Sequence, residues 1–291
     1  MTAHRSPARD YATYRDLPSP RFRPSPFGTS SGPGWSDLRR PLAFTVLFTG
    51  ASFGGAWYLD TETGQEPDPD ARTRVLTTLI AVNLAVFATH QVLPYVRVPG
   101  PLTRLVGRYG TVHPVRAHTT PASVLTSGFS HSEVWHLGLN MVGLYTIGSA
   151  LFDLLGRNQF LAFYGSSICW SSMAQLAAGV YAARRRGTSP RGSLGASGGI
   201  YALLGVVAWY APTSSVYLIF LPFVPIQLGY AFTGMIALDT LGLVRGWHTF
   251  GHAAHLAGGL GGLLYGVGQV PEAWMAKRKQ NMRRYLSRWG R

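Results

Sequence analysis

The chain has 291 residues, and only 13% of them are charged, against roughly 25% in an ordinary soluble domain. Its 26 lysines and arginines outnumber 12 aspartates and glutamates, for a formal charge of +14. In so apolar a chain this excess indicates anionic lipid surfaces and topology signals rather than a nucleic-acid partner, and the single cysteine excludes a disulfide framework.

Residues 1–40 form a basic arm that is rich in serine and proline and poor in acidic residues. This composition is typical of an organellar transit peptide. Prolines such as Pro18 and Pro20 oppose a long helix, so a disordered cytosolic tail is an equally good interpretation of the composition.

Seven apolar segments follow, and each is close to the ~20 residues that a helix needs to cross ~30 Å of hydrocarbon. They are residues 41–59, 75–93, 133–152, 160–183, 197–211, 226–244 and 250–270. The segment that begins at Ser197 is the shortest. The pattern predicts an all-α polytopic membrane protein.

Three stretches between and after these segments are not predicted to span the membrane. Residues 94–132 are interrupted by several prolines, and residues 216–225 contain Pro222 and Pro225, so both are expected to be irregular and interfacial. A basic tail, residues 271–291, ends the chain. With seven spans, this tail and the basic arm lie on opposite sides of the membrane. Because both are positively charged, the distribution of charge does not decide the orientation.

The most informative motif is Gly195-Ala196-Ser197-Gly198-Gly199, which opens the fifth segment. A helix start there offers unpaired backbone N–H groups to an anion, and Gly195 and Gly198 let another backbone approach closely. The motif also fits the nucleophile elbow of soluble hydrolases, but that motif requires a buried strand before it. A polar loop precedes it here, so we expect the serine to lie at a membrane helix start.

His255, in the last segment, is the candidate base for Ser197, because a hydroxyl and an imidazole form a nucleophile–base pair. Gly258 belongs to a row of small residues at four-residue spacing on which the serine helix could rest. Tyr201 lies one turn after Ser197 and could stack on the imidazole. Asp239 would complete a triad only if its helix turned inward, so a dyad is expected.

His136 and Asn140 are spaced four residues apart and project from one helix face. Both side chains can donate hydrogen bonds to a developing oxyanion, together with the Ser197 N–H. His131, five residues before His136, lies at the mouth of that helix and has a weaker claim to a role.

Three motifs in this order resemble the rhomboid family of intramembrane serine proteases. They are Phe129-Ser130-His131 with His136 and Asn140, the Gly195–Ala202 run, and His252-Ala253-Ala254-His255-Leu256-Ala257-Gly258. Residues 216–222, Asp239, Gly242 and the extra first span resemble the mitochondrial, presenilin-associated branch in particular. Gly251 departs from it, since an acidic residue is expected before His252.

The resemblance covers residues 75–270 and implies a six-helix protease core, with residues 41–59 as one additional helix. It implies a Ser197/His255 dyad, an oxyanion site at His136 and Asn140, and cleavage of single-span membrane proteins. It implies no metal or organic cofactor, contact with membrane lipids, and location in the mitochondrial inner membrane or otherwise another cellular membrane.

Two alternatives remain open. His248, His252 and His255 are spaced like metal ligands, and with His136 and Asp239 they suggest a seven-span zinc hydrolase. That interpretation leaves the glycine-flanked serine, Asn140 and Tyr201 without a role. The other alternative is an inactive rhomboid relative that binds client proteins; such relatives lack the serine, the histidine or both, whereas this chain has both.

Overall fold

The computed structural model describes residues 33–61, 70–92, 107–114, 120–187, 192–218, 221–247 and 250–268. Most of the predicted basic arm, residues 1–32, and the whole tail, residues 271–291, lie outside the described residues. The assignments of a transit segment and a basic tail therefore stay predictions.

Seven long helices stand where the apolar segments predicted them, each within a few residues of the expected ends. They are α1 (Arg39–Thr61), α2 (Ala71–Val92), α3 (Val134–Leu155), α4 (Arg157–Arg186), α5 (Ser197–Tyr210), α6 (Leu228–Arg245) and α7 (His252–Gly268). The prediction of an all-α polytopic membrane protein is confirmed.

Length and composition qualify three stretches of the described chain as membrane spans: Trp35–Thr61, Ala71–Gln91 and Val134–Leu155. Helix α5 is apolar too, but it has only 14 residues. The division into six core helices and one additional helix stays a prediction.

Helix α5 forms the centre of the bundle, because it is apolar on every side. Leu203 and Val206 are completely buried, and α5 packs against α3, α4, α6 and α7. A helix that is hydrophobic all round is expected in a core. The first residue of α5, Ser197, lies where α5 packs against α7.

The first long helix, α1, packs on α4. The Phe48 ring lies against Gly165, and the Trp170 indole N–H donates to the Thr49 hydroxyl over 3.2 Å. At the end of α1, the Asp60 carboxylate accepts a 2.8 Å hydrogen bond from Asn158. Contacts along its length thus fix α1 to the outside of the core.

A β-hairpin connects α5 to α6. Strand β1 (Ser215–Leu218) pairs antiparallel with β2 (Leu221–Gln227), and Ser215 lies opposite Gln227. Residues 216–218 and 221–225 are thus not helical, as the prolines predict, but their pairing as strands was not predicted. Pro222 and Pro225 are compatible with it, since both strands of a two-stranded hairpin are edges where proline is tolerated.

Candidate active site

Ser197 and His255 meet between α5 and α7. The Ser197 Oγ and the His255 Nε2 lie 2.8 Å apart, which is hydrogen-bonding distance. His255 is 8% exposed and Ser197 is half-buried. Two side chains separated by 58 residues in the chain are therefore brought into direct contact.

Small residues make this meeting possible. A Cβ atom on Gly258 would overlap the Gly198 carbonyl, and one on Gly262 would overlap the Ala202 backbone. Helices α5 and α7 therefore approach backbone to backbone one turn from the Ser197–His255 contact, as small residues allow in membrane helices. Gly198 also faces Ser171 of α4, so it has no room for a side chain either.

Asp239 joins the pair, contrary to the expectation of a dyad without a carboxylate. Helix α6 does turn this residue inward: Asp239 is 4% exposed, and its Oδ1 lies 3.0 Å from the His255 Nδ1. The same oxygen lies 2.6 Å from the His252 Nδ1. Ser197, His255 and Asp239 thus form a connected chain with the geometry of a triad.

These contacts assign the proton positions. An ionised carboxylate only accepts hydrogen bonds, so the Nδ1 of His255 must donate to Asp239. The Nε2 of a neutral His255 then carries a lone pair, and the Ser197 hydroxyl donates to it. This is the tautomer that a general base needs in order to take the serine proton.

Tyr201 lies against one face of the His255 imidazole. Its ring is stacked on His255, with centroids 4.2 Å apart and planes inclined by 11°. The Tyr201 hydroxyl also interacts with the Asp239 carboxylate. His255 is consequently held by a ring on one face and by hydrogen bonds at both nitrogens.

His136 and Asn140 lie on the face of α3 that borders the loop before Ser197. A Cβ on Gly195 would come within 2.8 Å of the His136 Cε1 and 3.9 Å of the Asn140 Nδ2. Both predicted oxyanion donors therefore border the backbone that leads to Ser197. One amide N–H of Asn140 is used elsewhere, because it donates to His131 Nε2 over 2.8 Å.

His131 has a larger part in this arrangement than its sequence position suggested. It is completely buried and lies edge-on against His136, with ring centroids 5.1 Å apart. Burial, with His136 and His90 nearby, lowers the pKa of His131 to about 3. The residue is therefore neutral at physiological pH and can accept the Asn140 hydrogen bond, which orients the amide.

The loop before Ser197 is held by backbone contacts that the sequence did not reveal. Val112 and Ser193 exchange two hydrogen bonds, of 2.9 and 2.8 Å, and the Gly195 N–H donates to the Ser127 carbonyl over 3.0 Å. Gly195 has a φ of +118°, a left-handed conformation that favours glycine. The irregular 94–132 segment thus contributes to positioning the start of α5.

The arrangement differs from a zinc site. Both ring nitrogens of His255 already have partners, Ser197 at Nε2 and Asp239 at Nδ1. Within the described ranges, no three His, Cys, Asp or Glu side chains are grouped so that they could hold a metal ion. His248, which completed the metal-like spacing, lies outside the described residues.

Comparisons with known proteins identify the family to which this chain is similar. The Rhomboid domain family model matches residues 118–272, which include all the side chains of the site. The presenilin-associated rhomboid-like protein of mitochondria from Homo sapiens is 34% identical over 278 residues, covering 84% of this chain and 68% of its own length. The mitochondrial Rhomboid protein 1 of Saccharomyces cerevisiae is 34% identical over 171 residues, covering 59% and 48% respectively.

Proposed function

Because the chain belongs to the rhomboid family, we propose that it is a serine endopeptidase that cleaves single-span proteins inside the membrane. The mitochondrial relatives and the apolar helices make it a multi-pass mitochondrial membrane protein. Its location in the inner membrane is part of the proposal. The observation that carries the activity is the 2.8 Å contact between the Ser197 hydroxyl and the His255 Nε2.

In the proposed reaction, the Ser197 Oγ attacks a peptide carbonyl carbon while His255 Nε2 takes the hydroxyl proton. The tetrahedral intermediate collapses to an acyl-enzyme, and His255 returns the proton to the leaving amine. Water then attacks the ester, with His255 again as the base. The stacking of Tyr201 supports this sequence, because it limits rotation of the imidazole between the two proton transfers.

The negative charge of the intermediate would be stabilised beside Gly195. His136, the second amide N–H of Asn140 and the backbone N–H of Ser197 are the proposed donors. Removing one such donor typically costs 100- to 1000-fold in rate. His131 supports the proposal by accepting the first Asn140 N–H and thereby fixing the direction of the second.

The proposed substrate is a single transmembrane helix. A peptide bond within a helix is shielded, and its polar groups are paired, so the segment must unwind before Ser197 can reach it. We therefore expect helix-destabilising residues near the cut. No resident metal or organic cofactor takes part in this scheme.

The test is cleavage of a tagged single-span polypeptide by the full chain in lipid vesicles. Wild type is compared with Ser197→Ala and with a matched control, Ser149→Ala, which removes a buried serine whose hydroxyl donates to the Tyr145 carbonyl of its own helix. We expect cleavage by wild type and the control, and none by Ser197→Ala.

Three other outcomes would contradict the proposal. Equal cleavage by wild type and Ser197→Ala would eliminate the nucleophile. Cleavage that stops only when metal is chelated would favour the zinc hydrolase. Binding of the polypeptide by all three proteins without cleavage would favour a client-binding relative.

A further inference from the structure

Asp239 forms a second hydrogen bond, with His252, in addition to its contact with His255. The His252 Nδ1–H donates to the Asp239 Oδ1 over 2.6 Å, a shorter contact than the 3.0 Å from His255 to the same oxygen. His252 is 4% exposed, and among the described residues its Nε2 has no hydrogen-bond partner. Among the described residues, the Asp239 carboxylate is thus the hydrogen-bond partner of the His252 ring.

The helix spacing explains why both histidines reach one carboxylate. His252 and His255 are three residues apart on α7, and Asp239 and Gly242 are three residues apart on α6, so each pair lies on one helix face. The missing side chain of Gly242 provides the space for the His252 ring. A Cβ there would lie 2.5–2.7 Å from three ring atoms.

We infer that His252 is a positioning residue for the protease reaction: it holds the Asp239 carboxylate, which in turn keeps the proton on His255 Nδ1. This inference rests on the proposed function. A carboxylate held from one side by His252 cannot rotate away from His255 without breaking the shorter bond. If Asp239 moved, His255 could place its proton on Nε2, where it could no longer accept the Ser197 proton.

Two substitutions separate this role from simple packing. His252→Phe fills the space over Gly242 with a ring of similar size but has no donor. His252→Asn has its amide nitrogen at nearly the position of Nδ1, so it keeps a donor and loses most of the ring. A role in packing predicts that the phenylalanine variant is the better enzyme, and a role as donor predicts the reverse.

The experiment measures kcat and KM for the full chain in vesicles with the tagged single-span polypeptide, together with the rate at which a fluorophosphonate probe labels Ser197. We expect His252→Phe to lower kcat and the labelling rate by roughly 10- to 100-fold, as for loss of one partner of a buried hydrogen bond, with KM nearly unchanged. His252→Asn should recover most of that loss.

A further variant tests the route of the effect. If His252 acts only through Asp239, the double variant Asp239→Asn/His252→Phe should be no slower than Asp239→Asn alone. The inference would be overturned if His252→Phe kept the wild-type kcat, or if the two substitutions were strictly additive in the double variant. The protease proposal would still stand in that case, provided that wild type cleaves the polypeptide and Ser197→Ala does not. Absence of cleavage by wild type would overturn both.

Discussion

Substitution of Gly258 by alanine is expected to abolish most activity although the residue takes no part in the chemistry. The new methyl group would overlap the Gly198 carbonyl of α5 and come within 3.0 Å of the Ser171 Oγ. Ordinary van der Waals contacts of a Cβ begin near 3.4 Å. The obstacle is backbone: the Cβ would lie 2.0 Å from the Gly198 oxygen where an ordinary contact needs 3.4 Å, so α5 and α7 must separate by about 1.4 Å. Overpacking of a core typically costs about 1–3 kcal/mol.

The separation acts directly on the reacting groups, since Ser197 is the neighbour of Gly198 and His255 lies one turn before Gly258. Their 2.8 Å contact would lengthen beyond hydrogen-bonding distance. A misplacement of about 1 Å typically costs about 100-fold in rate, so we expect Gly258→Ala to lower kcat by about that factor.

The matched control lies on the same helix. In the part of the chain that the structure describes, no atom lies within 4 Å of the position of a Gly261 Cβ, so Gly261→Ala should retain both activity and stability. Cleavage in vesicles and thermal unfolding in detergent would be measured for both variants. Equal activity of Gly258→Ala and Gly261→Ala would refute the close packing of α5 on α7 as the origin of the site.

Other predictions concern single groups of the site. Asp239→Asn should lower kcat by up to about 10⁴-fold, as in a Ser-His-Asp triad, whereas Asp153→Asn, which loses its 2.6 Å pair with Arg72 on α2, should keep activity in the same kinetic assay. Gly195→Ala should lose activity, because it combines a φ of +118° with a contact of 2.8 Å to the His136 ring; retention of wild-type kcat would contradict the described loop. His131 should make the folded protein less stable as the pH falls from about 6.5 toward 3, because the unfolded chain binds a proton that the buried ring, with its pKa of about 3, does not. The cost is about 2 kcal/mol at pH 5, and thermal unfolding at pH 5 and 8 would show a smaller difference in His131→Asn than in wild type.

The sequence predicted the helices well, because long apolar runs leave the backbone in lipid no alternative to helix. It also predicted that the side chains of Ser197 and His255 meet, because polar residues in glycine-rich surroundings are unusual within such runs. The inward face of α6 was not predictable in this way. Residues 226–244 are apolar on most sides, so their pattern does not show which face turns toward α7.

A signal for Asp239 was nevertheless present. A carboxylate and a glycine three residues apart on one helix, and two histidines three residues apart on the next, are complementary in size and charge. The contact of His131 with Asn140 had no such signal in the sequence, and neither did the Val112–Ser193 bridge. Both depend on how the residues before α3 fold back onto the helices. The hairpin was hidden by its prolines, which interrupt the alternation that identifies a strand.

The short central helix has a consequence for the products of the proposed cleavage. Its 14 residues rise about 21 Å, roughly 9 Å less than the thickness of the lipid interior. A placement of Tyr210 at one face of the bilayer would put Ser197 about that far beneath the other face, which corresponds to about six residues of an α-helix. A severed anchor would then yield two unequal pieces. The fragment on the catalytic side would carry only about six residues of the membrane segment, too few to anchor it, whereas the other fragment would keep most of that segment and stay in the membrane.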